Sequence, residues 1–394
     1  MGLFLQSKKK MLRVGLLLPR STLFPSFGLD ILAGLKKRLQ FLGSSDNIKL
    51  IIDNIGFGAD EQEVYTKAEK MILQEDADVV IVIADNRNTE ILQPLFAATN
   101  KILLAVNCGT DVAENWNTGT TTIIHTLNFS LNARLTGILA AEQENKRVIN
   151  TMSYYDAGYF QCFSMLNGNQ QNGGSASFFH ITKLKLSEFT LDPLEAYLAQ
   201  EDTTHNLLCL FCGEQAEQFY KEMAVLQKKF PCQLYVTPMM LDEQLKKSFD
   251  TAFQIQNVTG YIPWHSSLEN KENHIFKEQM QQEGKLANYF SLLGWDTGSI
   301  LQMIELKRSS GQPDAAAIVR SFAGEKINSP RGWILTDNET QYVYGPAYKA
   351  VCNNNFEINI VTTDIDIKEA FEAFKAVNIK LSDASSWKNT YLCI

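Results

Sequence analysis

Along the first 110 residues, short apolar runs alternate with segments whose apolar residues recur at helical spacing. Short runs with few polar residues, such as "VGLLL" at 14–18 and "ADVVIVIA" at 77–84, predict strands. The segments between such runs carry apolar residues at helical spacing, for example Leu29, Leu32 and Leu35. Because the strands lack strict alternation, we expect helices to cover both faces of their sheet. This order predicts a doubly wound α/β unit.

The same pattern starts again near residue 146. Further strands are predicted at "KRVINTMSYYD", "SASFFHITKL", "HNLLCLFC" and "CQLYVTP". Helices are predicted between these strands, and another is predicted after the last of them, at "LDEQLKKSFDTAF". Two successive α/β units without a long linker predict a two-lobed protein. Open parallel sheets bind ligands beyond the carboxyl ends of their strands, so two facing sheets would form a cleft suited to hinge closure.

The apolar run at 14–18 follows three lysines, Lys8 to Lys10, and fits either an export signal or a first strand. Pro19 and Arg20 interrupt the run, and no small-residue cleavage site follows it. We therefore interpret it as a strand that leads into a helix over 27–43. The loop 21–28 between them is expected at the rim of the cleft.

Composition narrows the classes of partner. The chain has 394 residues, of which 45% are apolar and 20% charged, with a formal net charge of −8. These values are typical of a globular protein with a normal core. The negative charge and the lack of a basic patch argue against a nucleic-acid partner. No apolar segment reaches the roughly 18 residues that a membrane-spanning helix needs, which predicts a soluble chain.

The sequence offers no pattern typical of a catalytic or metal site. The seven cysteines are odd in number and irregularly spaced, which favours a reducing compartment over a disulfide framework. Cys209 and Cys212 form "CLFC" at the end of a predicted strand, where residues three apart point to opposite faces. The five histidines are scattered, and no hydrolase, zincin or phosphate-loop motif occurs. We expect neither enzymatic activity nor a cofactor or metal.

Several segments in order resemble one family. The quoted matches are "RVGLLLPRSTLFPSFGLDILAGLKKRL", "EVYTKAEKMILQEDADVVIVIA", "KRVINTMSYYDAGY", "GEQAEQFYKEM" and, most strongly, "INSPRGWILTDNETQYVYGPAY" with its Pro-Arg-Gly hairpin. Together they resemble the substrate-binding proteins of branched-chain amino acid and amide ABC transporters, the Leu/Ile/Val-binding protein family, from about residue 12 to about 350. The resemblance implies the type I periplasmic-binding fold, in which two Rossmann-like lobes are joined by three crossings.

The resemblance also implies lobe limits. The crossings are expected near 125–129, 258–263 and 327–332. The first ligand-binding lobe would then comprise 12–126 and 263–327, and the second would comprise 129–258 and 332–394.

By the same resemblance, two loops of the first lobe supply most ligand contacts. The matching residues are Asn86, Arg87, Asn88, Cys108, Gly109 and Thr110. A helix starting at Thr89 would present free backbone N–H groups to a ligand carboxylate, and Arg87 could clamp it. Alternatively, Arg87 is a solvated loop residue and Asn88 a helix N-cap. Amino-acid binders of the family usually carry Ser or Thr hydroxyls here, so a simple branched-chain amino acid is in doubt.

The second lobe would close over the ligand. Its matching residues are Tyr155, Asp156 and Tyr159, with Glu214 at the next strand end, and all of them also fit surface turns or helix starts. Met239 and Met240 stand where amino-acid binders place an acidic residue for the ammonium. The aromatic residues Phe24 and Trp264 fit either the cleft or the core.

These residues predict a non-catalytic protein that binds a small polar metabolite (an amino acid, an amide or a small carboxylate) between its lobes. The partner would be an ABC permease, and the protein a monomer or weak dimer in the periplasm if a leader has been removed. Alternatives are a cytoplasmic ligand-responsive sensor of the same fold, in line with the cysteines, and a scaffold with a degenerate cleft. A terminal helix with Ile367, Phe371 and Phe374 on one face is expected to pack on the second lobe, and "SSWKNTYLCI" to dock.

Overall fold

The computed structural model describes residues 11–111, 113, 116, 118–153, 158–183, 185–311, 314–361 and 365–377. The α-helices in this part of the chain are α1 (Phe27–Phe41), α2 (Glu61–Leu73), α3 (Asn86–Thr99), α4 (Phe129–Ala141), α5 (Gly158–Gln171), α6 (Asp192–Leu198), α7 (Gly213–Leu226), α8 (Lys271–Gln282), α9 (Tyr289–Ser309), α10 (Ala315–Arg320) and α11 (Ile367–Lys375). None of these helices is both long enough and apolar enough to cross a bilayer.

The strands form two separate sheets. They are β1 (Leu12–Leu18), β2 (Ile48–Asn54), β3 (Val79–Ile83), β4 (Ile102–Asn107), β5 (Thr122–Thr126), β6 (Arg147–Ser153), β7 (Ser175–Thr182), β8 (His205–Leu210), β9 (Cys232–Val236), β10 (Ile255–Ile262), β11 (Lys326–Ser329), β12 (Gly332–Thr336), β13 (Tyr342–Tyr344), β14 (Tyr348–Asn354) and β15 (Glu357–Val361). The first sheet has the order β11-β12-β13-β5-β4-β3-β1-β2, and the second has the order β15-β14-β10-β9-β8-β6-β7. The two-sheet α/β architecture predicted from the periodicity is therefore confirmed.

Both sheets are mainly parallel. At one edge of each sheet, the strands that come latest in the sequence pair antiparallel. In the first sheet, β1 pairs in parallel with β2 and β3, and its residues from Val14 to Leu18 are buried. In the second sheet, β6, β8 and β9 pair in parallel, whereas β14 runs antiparallel to β10 and β15. Buried central strands explain why the sequence lacks polar–apolar alternation there.

The chain passes between the sheets three times. It leaves the first sheet after β5 and the second after β10, close to the crossings predicted at 125–129 and 258–263. The third passage lies between β13 and β14, at 345–347, and not at 327–332. The reason is that the hairpin of β11 and β12 returns to the first sheet, where β13 pairs with β5. The sequence-based limits of the lobes stay predictions, but β12 and β13 belong to the first sheet.

Two local predictions differ from the structure. The segment predicted as a helix at "LDEQLKKSFDTAF" begins at the last residue of one 3₁₀ turn, Pro238–Leu241, and contains a second, Glu243–Ser248. A proline at the start of the first turn and Asp242, which caps the second by accepting from Gln244 N, favour short turns over one continuous helix. The predicted terminal helix exists as α11, but its Phe371 stacks on Tyr344 of the first sheet at 4.5 Å, while α11 also contacts α4 of the second lobe. The final segment lies outside the described residues.

Helix pairs within each lobe pack at very short range. Helices α1 and α9 cross at Gly34 and Gly294, where an added Cβ would lie 1.9 Å from Ser291 O and 2.0 Å from Ile31 O, respectively. In the second lobe, α4 and α5 cross in the same way at Gly137, where a Cβ would lie 1.8 Å from Met165 O. Such contacts allow only glycine at the crossing points.

Candidate functional site

The carboxyl ends of the central strands of the two sheets meet across an apolar surface. One continuous hydrophobic cluster joins the core of the first lobe to residues at or beside the strand ends of the second. The second lobe contributes Met152, Cys162, Leu210, Cys212 and Met239. The first lobe contributes Leu18, Cys108, Tyr289 and Phe290, and α4 adds Phe129 where the chain enters the second lobe. The lobes are therefore closed on each other.

The loop after β1 lies at this junction, as predicted for 21–28. Phe24 is partly buried and its ring packs edge-to-face on Phe290 at 5.2 Å. A Cβ added to Gly213, the first residue of α7, would lie 3.8 Å from Leu23 Cδ2. This contact brings the first loop of one lobe against the start of a helix in the other.

Two carboxylates, one from the loop after β3 and one from the loop after β4, lie at the start of a helix. Helix α3 begins at Asn86, three residues earlier than predicted, and its N-cap is Asp85. Asp85 Oδ1 accepts from Asn88 N at 2.9 Å, and Asp111 Oδ2 accepts from Asn86 N at 2.8 Å. The N–H groups that were expected to bind a ligand carboxylate thus bind carboxylates of the protein.

The polar side chains of this loop have partners within the first lobe. Arg87 forms an ion pair with Glu61 of α2 (Nε to Oε1, 2.5 Å) and is half exposed. Asn88 is buried and donates through Nδ2 to Gly58 O and to Asp85 Oδ1. The N-cap interpretation of Asn88 is wrong, because Asp85 takes that place. The side chain of Arg87 is half exposed, but the residue lies in the first turn of α3 and not in a loop.

Asn86 and Asp111 lie beside a small cavity. Asn86 Oδ1 accepts from Tyr342 OH at 2.8 Å, which ties α3 to β13. The cavity measures about 20 Å³ and is also lined by Asn107, Gly109, Trp116, Thr126, Asn128, Phe371 and Phe374, among others. This is close to the space that one water molecule needs.

Burial changes the acidity of both carboxyl groups at α3. Loss of solvent raises the pKa of Asp111 to about 7, and the nearby charge of Asp85 adds to this. Burial also raises the pKa of Asp85, against the opposing effect of its hydrogen bonds from Asn88. Two carboxyl groups near one helix end disfavour each other's charged forms, so a proton is readily held there near neutral pH.

The loop after β4 is shaped by close backbone contacts. Gly109 has φ +73°, and a Cβ there would lie 2.3 Å from Thr126 Oγ1, so only glycine fits. Gly109 N donates to Asn107 Oδ1, and Thr110 O accepts from Ser130 Oγ at 2.7 Å. These bonds fix the loop.

Cys108, in the same loop, is buried in the apolar cluster between the lobes, where burial raises the pKa of its thiol. Its contact with a ligand stays a prediction.

Predicted residues of the second lobe are only partly described. Tyr155 and Asp156, and the side chain of Tyr159, lie outside the described residues. Glu214 is exposed in the first turn of α7. Met239 is buried in the interlobe cluster, whereas Met240 belongs to the core of the second lobe.

Trp264 is a core residue next to the second crossing. It is buried, its Nε1 donates to Asn273 Oδ1 at 2.8 Å, and its ring packs on Phe276 and Tyr289. Trp264 thus belongs to the cluster that joins the lobes, and Phe24 packs against that cluster.

Sequence reasoning missed Asp111 and Tyr342. Asp111 follows the predicted strand "KILLAVNC" by three residues and so belongs to a strand-end loop, which was the available signal. Tyr342 comes late in the chain and reaches Asn86 only because β13 pairs with β5. Nothing local in the sequence indicates that pairing.

The described cysteines are separate and buried. None of the six described cysteines forms a disulfide bond. Cys209 belongs to the core of the second lobe and Cys212 to the interlobe cluster, which confirms that the two thiols of "CLFC" point apart. Within the described part of the chain, no group of three or more His, Cys, Asp or Glu residues is arranged to hold a metal ion.

Known structures share this architecture. A solute-binding protein of an ABC transporter from Rhodopseudomonas palustris BisB5, in complex with 3,4-dihydroxybenzoic acid, aligns with a TM-score of 0.71 and 18% identity over 90% of this chain and 98% of its own. An amino acid ABC transporter substrate-binding protein from Pseudomonas fluorescens Pf-5 aligns with a TM-score of 0.71 and 13% identity over 94% and 99%. At these identities the likeness shows the fold.

A third similar structure is an ABC-type branched-chain amino acid transporter protein from Rhodopseudomonas palustris CGA009, with a TM-score of 0.68 and 12% identity over 89% of this chain and 96% of its own. No curated protein matches the sequence. The family model described as "Periplasmic binding protein" matches residues 11–355, which is most of the chain. The two lobes, the three crossings and this match lead to one conclusion: the chain belongs to the periplasmic binding protein family.

Proposed function

We propose that this chain is the solute-binding protein of an ABC transporter of the branched-chain amino acid and amide type. It binds a small metabolite between its lobes, closes by rotation at the hinge and presents the closed form to a permease. The ligand class we propose is that of an amino acid, an amide or a small carboxylate. Amino acid transport and benzoate-type ligands are named for similar structures.

The observation that carries this proposal is the apolar cluster that crosses between the lobes. Its members come from strand ends and the residues beside them, which is where open parallel sheets bind ligands. A surface that is apolar and buried in the closed form becomes exposed when the lobes separate. A ligand enclosed there would add contacts to both lobes and favour closure.

We propose that the first lobe contacts the ligand through Phe24, Cys108, Gly109 and Thr110. Phe24 and Cys108 line the junction, and the loop 108–110 is held by hydrogen bonds that leave its conformation defined before ligand binds. The aromatic and acidic residues of the loop after β6, Tyr155 and Asp156, stay a prediction for the second lobe, together with Tyr159.

A scaffold with a degenerate cleft is the second candidate, and one observation favours it. Asp111 occupies the N-terminus of α3, where the family resemblance implies a ligand carboxylate. A ligand that needs this helix end would have to displace a carboxylate whose pKa is already raised.

Calorimetry and thermal unfolding with named probes distinguish the two candidates. The protein is unfolded, dialysed and refolded to remove any retained ligand, and then tested with L-leucine, acetamide and benzoate. Binding of one probe at 100 times its Kd stabilises the folded state by about 2.7 kcal/mol. Phe24→Ala should weaken that binding, whereas Phe41→Ala, a matched change at an exposed site on α1, should not. Failure of every probe to bind would favour the scaffold.

A further inference from the structure

The hairpin between β11 and β12 carries a wholly buried arginine beside the hinge. Its turn is Pro330-Arg331-Gly332, and the side chain of Arg331 has no exposed surface. Arg331 Nε pairs with Asp296 Oδ2 on α9 at 3.2 Å, and Asp296 is equally buried. Burying two charges costs desolvation free energy, so a buried ion pair is weak evidence for added stability. Its role therefore depends on which parts of the chain Arg331 connects.

Arg331 and its neighbour Pro330 make hydrogen bonds near all three crossings. Arg331 Nη2 donates to Thr126 O at 3.0 Å, at the end of β5, where the first crossing begins. Asn270 lies shortly after the second crossing and donates through Nδ2 to Pro330 O at 2.9 Å. Tyr348 begins β14, just after the third crossing, and its hydroxyl donates to Arg331 O at 2.9 Å.

Of these bonds, the one from Tyr348 joins the two lobes. Thr126, Asp296 and Arg331 belong to the first lobe, whereas β14 belongs to the second sheet. The third crossing also packs directly on the hairpin. A Cβ added to Gly345 would lie 3.1 Å from Arg331 Cζ, and one added to Gly332 would lie 3.2 Å from Tyr348 Oη and 3.3 Å from Pro346 Cγ. The absence of side chains at both glycines permits this approach.

We propose that the Arg331 hairpin is the pivot of the hinge and that Arg331 and Tyr348 are positioning residues for lobe closure. This proposal rests on the proposed hinge-closing function but concerns how the movement is guided. The ion pair with Asp296 fixes the guanidinium, the guanidinium fixes the end of β5, and the Arg331 carbonyl holds the start of β14. Rotation is thereby confined to one axis, and the strand-end loops meet in register.

The test removes the interlobe bond and compares it with a matched bond inside one lobe. Tyr348→Phe deletes the hydroxyl that donates to Arg331 O. Tyr220→Phe deletes a hydroxyl that donates to Met240 O at 2.7 Å within the second lobe. Both variants lose a tyrosine-to-carbonyl hydrogen bond, so both should unfold at a lower temperature than the parent protein.

Interlobe distances are then measured by single-molecule fluorescence transfer without added ligand. Dyes are attached through azide-bearing side chains introduced at positions 62 and 185, two exposed positions in different lobes, so that no native cysteine is labelled. Tyr348→Phe should raise the population outside the closed distance about fivefold, because the loss of a typical hydrogen bond costs about 1 kcal/mol. Tyr220→Phe should leave the distances unchanged. Equal distributions in Tyr348→Phe and the parent, or the same shift in Tyr220→Phe, would overturn the pivot.

Repeating the measurement with L-leucine, acetamide and benzoate separates the two proposals. If none of the probes changes the parent's distances, ligand-driven closure by these compounds fails, and the pivot is still judged from the ligand-free comparison. The other informative outcome is a probe that closes the parent and Tyr348→Phe equally at the same concentration, while the two proteins have the same distance distribution without ligand. In that case the proposed function holds and the pivot is refuted.

Discussion

Asp111 Oδ2 lies 2.8 Å from the backbone nitrogen of Asn86, the first residue of α3. The carboxylate comes from the loop after β4, and the N–H group comes from the first residue of the helix that follows β3. It therefore links two adjacent strand ends of the first lobe and occupies a helix N-terminus that favours negative charge. The same contact buries a carboxyl group whose pKa is raised to about 7 by loss of solvent and by Asp85.

This contact predicts a pH-dependent contribution to stability. The pKa of Asp111 rises on folding from 3.8 to about 7, so its contribution is fully present below about pH 3.8 and is lost as pH rises through 7. Asp111→Asn keeps an oxygen for Asn86 N but cannot ionise. From pH 4 to pH 8, the parent should therefore lose about 4 kcal/mol relative to the variant, since each pKa unit corresponds to about 1.4 kcal/mol. Urea unfolding of both proteins at several pH values measures this.

Taking the difference between the parent and Asp111→Asn removes the contributions of other groups that titrate in the same pH range. One of these is Asp242, because burial raises its pKa to about 6. Asp242→Asn serves as a control in the second lobe, with its own change expected at lower pH. Parallel pH curves for the parent and Asp111→Asn would show that Asp111 is already ionised and solvated in the folded protein.

The buried pair of Arg331 and Asp296 predicts a strongly non-additive mutant cycle. Arg331→Met leaves Asp296 without its buried counter-charge and should cost about 3–5 kcal/mol of unfolding free energy. Arg331→Met combined with Asp296→Leu removes both charges and should recover much of that loss. Chemical denaturation of the single and double variants tests the cycle, and a single-variant cost below about 1 kcal/mol would mean that the pair is not desolvated as the structure describes.

Close helix packing in the first lobe predicts opposite effects at two glycines of α1. At Gly34 a Cβ would lie 1.9 Å from Ser291 O, so Gly34→Ala should force α1 and α9 apart. It should lower the free energy of unfolding by at least about 3 kcal/mol, the upper end of the usual cost of overpacking. At Gly28 the nearest atom to a Cβ is Pro19 O at 3.4 Å, an ordinary contact. Gly28→Ala should therefore be neutral or slightly stabilising through helix propensity. Thermal unfolding compares the two, and similar melting temperatures would contradict the packing.

The fold was largely predictable because its signals are local. Buried parallel strands such as β3 and β4 appear as short apolar runs, and helices such as α2 and α7 show clear amphipathic spacing. The third crossing was misplaced because strand pairing is not local. The residues from Gly332 to Tyr344 look like strands in either lobe, and only their pairing with β5 assigns them to the first sheet.

The candidate site was less predictable because its polar side chains are bonded to one another. Arg87 and Asn88 were assigned to a loop but lie in the first turn of α3, and two of their partners, Gly58 O and Glu61, are distant from them in sequence. The cap, Asp85, lies three residues before the expected cap, Asn88, and both are good capping residues. Cys108 was correctly placed at a strand end, although its apolar surroundings come from both lobes.

The central claim is that the two lobes close on the shared apolar surface and can open there. Its most direct test is alkylation of the native protein by iodoacetamide, with each cysteine followed by mass spectrometry. Cys108, Cys162 and Cys212 belong to the interlobe cluster, whereas Cys209, Cys232 and Cys352 belong to the core of the second lobe. Cys108, Cys162 and Cys212 should react at least about tenfold faster than the three core cysteines, because lobe opening exposes them without unfolding. Reaction of all six at one common rate, that of global unfolding, would contradict the claim.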